Sequence, residues 1–340
     1  RLREKAACGQ RSAVLLSTIL RVVIGSLALA GAAAIALALM LAWPVRPPPP
    51  LASIHAGAMQ IDASGAPELR RFQARDGTWL AYRLYPAANG AKDRVAILAH
   101  GSSASSLEMH EVAAALAAGG VTAVAIDARG HGASGTRGDI AYPGQLDDDL
   151  ADLLAEFRKL NPSARFALIG HSAGGGFALR IAASPLGGAF DRFILLAPYL
   201  GYSAPTNRPA EGKGLWASPD LPRIIATLVV ARVGIDWPQS LPAIAFANAP
   251  EAKPFVTSVY SFRLLQNYTA PPDWKGAFER AKGRIFLVAG ADDELMDAPA
   301  YETALAPRGV PVTIVPGVDH MGIVYRPEAI KAIQAALAGW

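Results

Sequence analysis

A chain of 340 residues has room for one large α/β domain with accessories, and a hydrophobic content of 52% against 18% charged residues is high for a protein that is soluble throughout. The formal net charge of +4 arises within residues 1–21, where Arg1, Arg3, Lys5, Arg11 and Arg21 stand against Glu4. The rest balances, so the basic excess does not describe a nucleic-acid-binding surface. The lone cysteine, Cys8, lies in the same flank, which leaves the remainder without a disulfide.

In chain order, residues 1–21 read as a basic cytoplasmic flank and residues 22–43, VVIGSLALAGAAAIALALMLAW, as a transmembrane anchor. A helix over these 22 uncharged residues covers about 33 Å, against about 30 Å for a bilayer core. Gly25 and Gly31 are tolerable in such a helix, and Trp43 suits an interface. Pro44 and Pro47–Pro50 end the helix and start a stiff stalk over 44–66, irregular from residue 51. Five cations before the span and only Arg46 soon after it place the N-terminal flank in the cytoplasm and the following domain on the opposite, periplasmic or extracytoplasmic side. The alternative is a cleaved secretory signal; its Ala-x-Ala patterns at 28–30 and 36–38, however, lie inside the apolar run.

Residues 67–340 read as one domain. Glu68–Arg75 and Thr78–Tyr85 flank Asp76-Gly77 as a hairpin. Strands are then expected at 94–99, 121–126, 165–169, 192–197, 284–289 and 310–315, with helices at 107–118, 146–160, 175–183, 299–305 and 327–337. Short continuous apolar strands alternating with helices make a parallel sheet covered on both faces, with ligands at the carboxyl ends of the strands. About residues 199–283 break the alternation and carry Trp216, Trp237, Phe246, Phe255, Tyr260, Phe262, Tyr268 and Trp274. So long a structureless loop is unusual, and the stretch is expected to be an inserted, mainly helical lid. Asn267-Tyr268-Thr269 fits a glycosylation sequon, a tripeptide that arises often by chance.

The informative motif is Gly170-His171-Ser172-Ala173-Gly174 between an apolar strand and a small-residue helix start, which is G-x-S-x-G in its strand–turn–helix context. Ser172 is the candidate nucleophile. A serine hydroxyl needs a base, and the base a carboxylate. The expected order is Ser, acid, His, and of the six histidines only His320 follows Ser172 outside the elbow itself. His171 is its neighbour, and side chains diverge on a sharp turn. The acid belongs after the 284–289 strand, where Asp292, Asp293 and Asp297 compete. Asp293 has the spacing that returns a carboxylate over the sheet, Asp292 stays open, and Asp297 suits a helix cap. Oxyanion donors are the backbone N–H groups of Ala173 and of Ser102, in the loop His100-Gly101-Ser102-Ser103. His100 is expected to brace that loop. Gly130-His131-Gly132-Ala-Ser-Gly135 matches G-x-G-x-x-G, but no helix opens there, so a dinucleotide site is not expected. Asp147-Asp148-Asp149 with Asp152 begins a helix and complements its dipole rather than holding a metal.

Together, His100-Gly101, Asp127-Ala-Arg129-Gly130-His131-Gly132-Ala-Ser134, Gly170–Gly175, Gly290-Ala-Asp-Asp293 and His320-Met-Gly322 resemble the α/β-hydrolase superfamily, nearest to the monoacylglycerol lipase, lysophospholipase and serine aminopeptidase-like group. The resemblance covers about residues 68–340 and implies that the segment around His131 is a structural loop. The anchor lies outside it, and the lid is the part that varies most within that group. The expectation is a membrane-anchored serine hydrolase that cleaves an acyl-chain or lipid-like carboxylic ester through an acyl-enzyme, with no cofactor. Alternatives are a peptidase, thioesterase or acyltransferase on the same residues, or a non-catalytic membrane-tethered binding module.

Overall fold

Along 94–99, 122–126, 165–171, 192–196 and 285–290 nearly every residue is buried, as in parallel strands covered on both faces. The computed structural model describes residues 2–208, 214–252 and 256–340, with side chains from Leu15 onward. Arg1 and the expected lid aromatic Phe255 lie outside the described residues. The strands are β1 (Leu69–Gln73), β2 (Trp79–Tyr85), β3 (Arg94–Ala99), β4 (Thr122–Ile126), β5 (Arg165–His171), β6 (Arg192–Leu196), β7 (Ala217–Pro219), β8 (Pro242–Phe246), β9 (Val259–Ser261), β10 (Ile285–Gly290) and β11 (Val312–Val315). The helices are α1 (Leu2–Ala42), α2 (Ala52–Ala58), α3 (His110–Ala118), α4 (Gln145–Leu160), α5 (Ala173–Ala182), α6 (Leu221–Ala231), α7 (Phe262–Asn267), α8 (Trp274–Arg280), α9 (Ala298–Leu305) and α10 (Pro327–Ala336).

Eight strands form one sheet in the order β1-β2-β4-β3-β5-β6-β10-β11. The β1–β2 hairpin and the β2–β4 pair are antiparallel, and all other pairs are parallel. Asp76-Gly77 makes the hairpin turn: Gly77 takes a left-handed φ of 83°, and Asp76 accepts from the N–H of Thr78. On one face α4, α5, α8 and α9 bury residues such as Leu150, Phe177, Phe278 and Leu305, while α3 and α10 cover the other through Val112, Leu116 and Ile333. In α4, Leu146, Leu150, Leu153, Leu154 and Phe157 recur at helical spacing and are all buried. Each contributes on the order of 1.5–3 kcal/mol of transfer free energy.

Two units are distinguished: residues up to Pro44 together with Asp220–Pro238, and Val45–Pro219 together with Gln239–Trp340. In the first, α1 holds the one described helix segment long and apolar enough to cross a membrane, the 28 residues Leu15–Ala42. The helix begins well before residue 22 because nothing in the basic flank breaks it. Its apolar side chains are exposed, and so are Ile225, Leu228 and Val229 on α6, which packs against α1.

In the second unit, the insertion after β6 contains α7 and α8 and, in addition, the antiparallel sheet β7-β8-β9. These strands are three to five residues long, and β7 and β8 carry prolines, so no alternating pattern marks them. Residues 51–66, expected to be an irregular part of the stalk, instead include α2, with Leu51 and Ile54 buried. The segment ASIHAGA has too few apolar positions for periodicity to show, and tertiary contact holds it in place. Asn267 of the sequon is buried, its amide donating to Arg263 O and accepting from the N–H of Gly144. The acidic run at the start of α4 is paired with arginines: Asp147 with Arg180, Asp148 and Asp152 with Arg75, and Asp149 with Arg129.

Candidate active site

The carboxyl ends of β3, β5, β10 and β11 meet at one edge of the sheet, and the expected functional residues lie in the loops that leave them. After β5 the chain turns so sharply that Ser172 adopts φ 51° and ψ −114°, a conformation that costs a non-glycine residue on the order of 1–3 kcal/mol. Backbone bonds hold the turn: Ser172 N–H donates to Leu196 O, while Ser172 O accepts from Gly176 and Tyr199. The turn depends on its small residues. A Cβ on Gly170 would lie 2.0 Å from Gly174 O, and one on Gly174 would lie 2.3 Å from His100 O. Ala173 opens α5, so its N–H is free of intrahelical demand.

The other expected donor, Ser102 N–H, lies in the loop after β3. Gly101 N–H donates to Glu108 Oε1 at 2.6 Å, and Ser103 N–H to the Tyr260 hydroxyl at 2.6 Å. The N–H of Ser102, between them, has no partner among the described residues, and Ser102 lines the same cavity as Ser172. Ser103 takes φ 72°, which turns the backbone at this point. His100 is fully buried, donating from Nδ1 to Gly101 O and accepting at Nε2 from Ala128 N–H. Burial holds its pKa below the ordinary histidine value. It braces the loop.

Past β10, Asp293 is buried and Asp292 exposed. Asp293 Oδ2 lies 2.8 Å from His320 Nδ1, and its Oδ1 accepts from the N–H groups of Leu295 and Met296. Burial alone would raise the Asp293 carboxyl; the His320 imidazole and the two N–H donors outweigh it and hold the group below its usual range. Burial likewise opposes charge on His320, and Asp293 overcomes this to raise the imidazole above its ordinary value. With Nδ1 engaged, Nε2 is the nitrogen left for chemistry. Glu294 Oε2 accepts from His320 N–H. Asp297 stands at the N-cap of α9 without a side-chain cap bond.

Ser172, His320 and Ser102 line one cavity of about 100 Å³. Its other walls come from the insertion (Trp216, Ala247, Asn248) and from α2. Several of these contributors were not legible in the sequence. Trp216 Nε1 donates to Ser102 Oγ and Asn248 Nδ2 to Ser103 Oγ. Tyr260 links Ser103 to His131, lying 2.6 Å from His131 Nε2. His131 is buried and held well below its ordinary pKa, within the loop that Asp127 ties to Ser106 and Ala133. Glu108 lines the cavity and lies 2.8 Å from His171 Nδ1, while His171 Nε2 is 3.1 Å from His320 O. No motif marks Glu108; only its burial beside two histidines does.

Residues 90–321 match the family model described as serine aminopeptidase, S33. Among solved structures, the chain is similar to a soluble variant of monoglyceride lipase from Saccharomyces cerevisiae (TM-score 0.59, 16% identity, covering 82% of this chain and 95% of that one). It is also similar to a bacterial membrane phospholipase A (TM-score 0.54, 19% identity, 94% and 98%) and to an esterase of Pyrococcus furiosus (TM-score 0.50, 18% identity, 82% and 94%). At these identities the likeness is one of fold. No curated protein matches the chain.

Proposed function

The chain belongs to the serine aminopeptidase S33 family of α/β hydrolases, matching its model over more than half its length, and on that premise we propose that it is a membrane-anchored serine hydrolase cleaving acyl-chain esters. The observation that carries this reading is the convergence of Ser172, His320 and the Ser102 loop on one cavity, with Asp293 bound 2.8 Å behind His320. Ser172 Oγ attacks the ester carbonyl as His320 Nε2 takes its proton. The tetrahedral oxyanion is held by the N–H groups of Ser102 and Ala173. His320 then passes the proton to the departing alcohol, leaving an acyl-enzyme on Ser172. Water deprotonated by the same nitrogen releases the acid. Asp293, kept ionised by its donors, orients the ring and stabilises the imidazolium.

An ester is favoured over an aminoacyl substrate by the lining of the cavity. An aminopeptidase needs an anion to hold the substrate ammonium, and Glu108, the one carboxylate among the described lining residues, is engaged by Gly101 and His171. Membrane anchoring is supported by Leu15–Ala42 and by the exposed apolar residues of α6. The monoglyceride lipase and membrane phospholipase folds are consistent with a lipid-like ester. The test is a panel of acyl esters, thioesters and aminoacyl amides with the full chain in detergent, alongside fluorophosphonate labelling. The expected result is ester turnover and labelling that Ser172→Ala abolishes while circular dichroism stays unchanged. Labelling that survives Ser172→Ala, or turnover confined to aminoacyl amides, overturns the reading.

A further inference from the structure

The short helix α2 lies outside residues 90–321, the part matched by the family model, yet Ile54, His55 and Ala58 line the cavity that holds Ser172 and His320. Four contacts fasten it there. Leu51 N–H donates to Ala247 O in the insertion. Leu51 and Ile54 form a small apolar cluster with Ala247 and Met321, separate from the two clusters that flank the sheet. Gly57 sits so close to Met321, the residue after the base, that a Cβ there would lie 2.5 Å from Met321 Cβ. His55 Nε2 is 3.3 Å from Glu251 Oε1, beside Ala249 and Ala252 on the insertion's side of the cavity. The helix is therefore docked by apolar contacts and a polar link, with Ile54, His55 and Ala58 lining the site.

We propose that α2 is the acyl-chain wall of the substrate pocket: Ile54 and Ala58 pack on the chain of the ester whose carbonyl meets Ser172. This rests on the esterase reading above. The hydrolase fold supplies the elbow, the oxyanion loop and the acid–base pair; the segment that joins this fold to the apolar helix supplies part of the surface that selects the substrate. Its side chains suit that task. Ile54 presents branched hydrocarbon, Ala58 leaves room beside it, and neither offers a hydrogen bond that a hydrated head group would require in exchange for its water. Chain-length preference is then a property of residues 51–58 together with the insertion. Discrimination per methylene in such a pocket is worth about 10-fold or more.

The experiment measures kcat and KM for p-nitrophenyl esters from butyrate to dodecanoate on the full chain in detergent. Ile54→Trp and Ala58→Trp fill the wall, and the ratio of kcat/KM for decanoate over butyrate is expected to fall at least about tenfold, mainly through KM. Ser53→Trp, on the exposed side of α2, tests whether bulk anywhere on the helix has the same effect, and it is expected to leave the ratio as in the wild type. Because Ile54 is buried and its tryptophan variant can fail to fold, Ala58→Trp at an exposed position carries the test by itself. A ratio within twofold of wild type for Ala58→Trp, or an equal loss on every ester, overturns the proposal. Loss of the proposal in this way leaves Ser172-dependent ester turnover intact, whereas failure of the esterase reading, which takes the proposal with it, appears as no wild-type ester turnover or as turnover that Ser172→Ala does not remove.

Discussion

Replacing Asp293 by Asn keeps the shape of the site and changes its proton inventory. The amide oxygen can still accept from Leu295 and Met296 N–H, as Asp293 Oδ1 does, so the loop is expected to hold. The amide nitrogen then faces His320 Nδ1, where Asp293 Oδ2 stands at 2.8 Å. A donor there forces Nδ1 to accept and moves the ring proton to Nε2, the nitrogen that must take the Ser172 proton. The base is lost by tautomer rather than by distance, which costs about 10³–10⁴-fold in kcat, or about 4–5.5 kcal/mol of transition-state stabilisation. The pH dependence moves as well. Activity follows neutral His320, whose pKa Asp293 raises. The acid limb of kcat/KM in the wild type is thus expected above the ordinary histidine value of about 6.5, and it should shift downward in Asp293→Asn. Stopped-flow ester hydrolysis across pH, with Asp292→Asn in parallel, reads both effects. Asp292 is exposed, and its variant should stay within about threefold of wild type, since surface substitutions away from such networks have little effect. Retention of activity within tenfold by Asp293→Asn, or a large loss in Asp292→Asn alone, would refute the assignment.

Glu108→Ala should destabilise the fold by about 3–5 kcal/mol, because it leaves His171 and the Gly101 N–H without their partner in a buried setting; urea unfolding measures this, and a loss under 1 kcal/mol contradicts the role of the pair. Arg129→Ala removes the shared partner of Asp76 and Asp149, and a similar loss of stability with kcat/KM per folded molecule within about threefold is expected from denaturation and active-site titration. Gly57→Ala should push α2 from Met321, weakening long-chain ester binding in the same assay that tests Ile54 and Ala58. A reporter fused beyond His320 should be active only outside the cytoplasm, given the cations before the span; cytoplasmic activity would reverse the proposed orientation.

Local chemistry was enough to read much of this chain. The buried strands announce themselves as short continuous apolar runs, the elbow as small residues around a serine between strand and helix, and the apolar helix as a stretch without charge. Each depends on neighbours within a few residues, through sterics and periodicity, so it is written where it acts. His320 was singled out as candidate base by order alone, since it is the one histidine after the elbow. What came only with the tertiary structure depends on residues far apart. Asp292 and Asp293 are equivalent as letters; exposure of the first and burial of the second separates them, and this follows from how the loop after β10 packs against the loop after β11. The acidic run of α4 carries no sign of Arg75, Arg129 and Arg180, which reach it from the β1–β2 turn, from the loop after β4 and from α5. Glu108 and Tyr260 are ordinary residues until the fold sets them against His171 and His131. The plainest case is α2. ASIHAGA has neither the length nor the amphipathic pattern to form a helix alone, and only its docking on Ala247 and Met321 turns an unremarkable linker into a wall of the cavity.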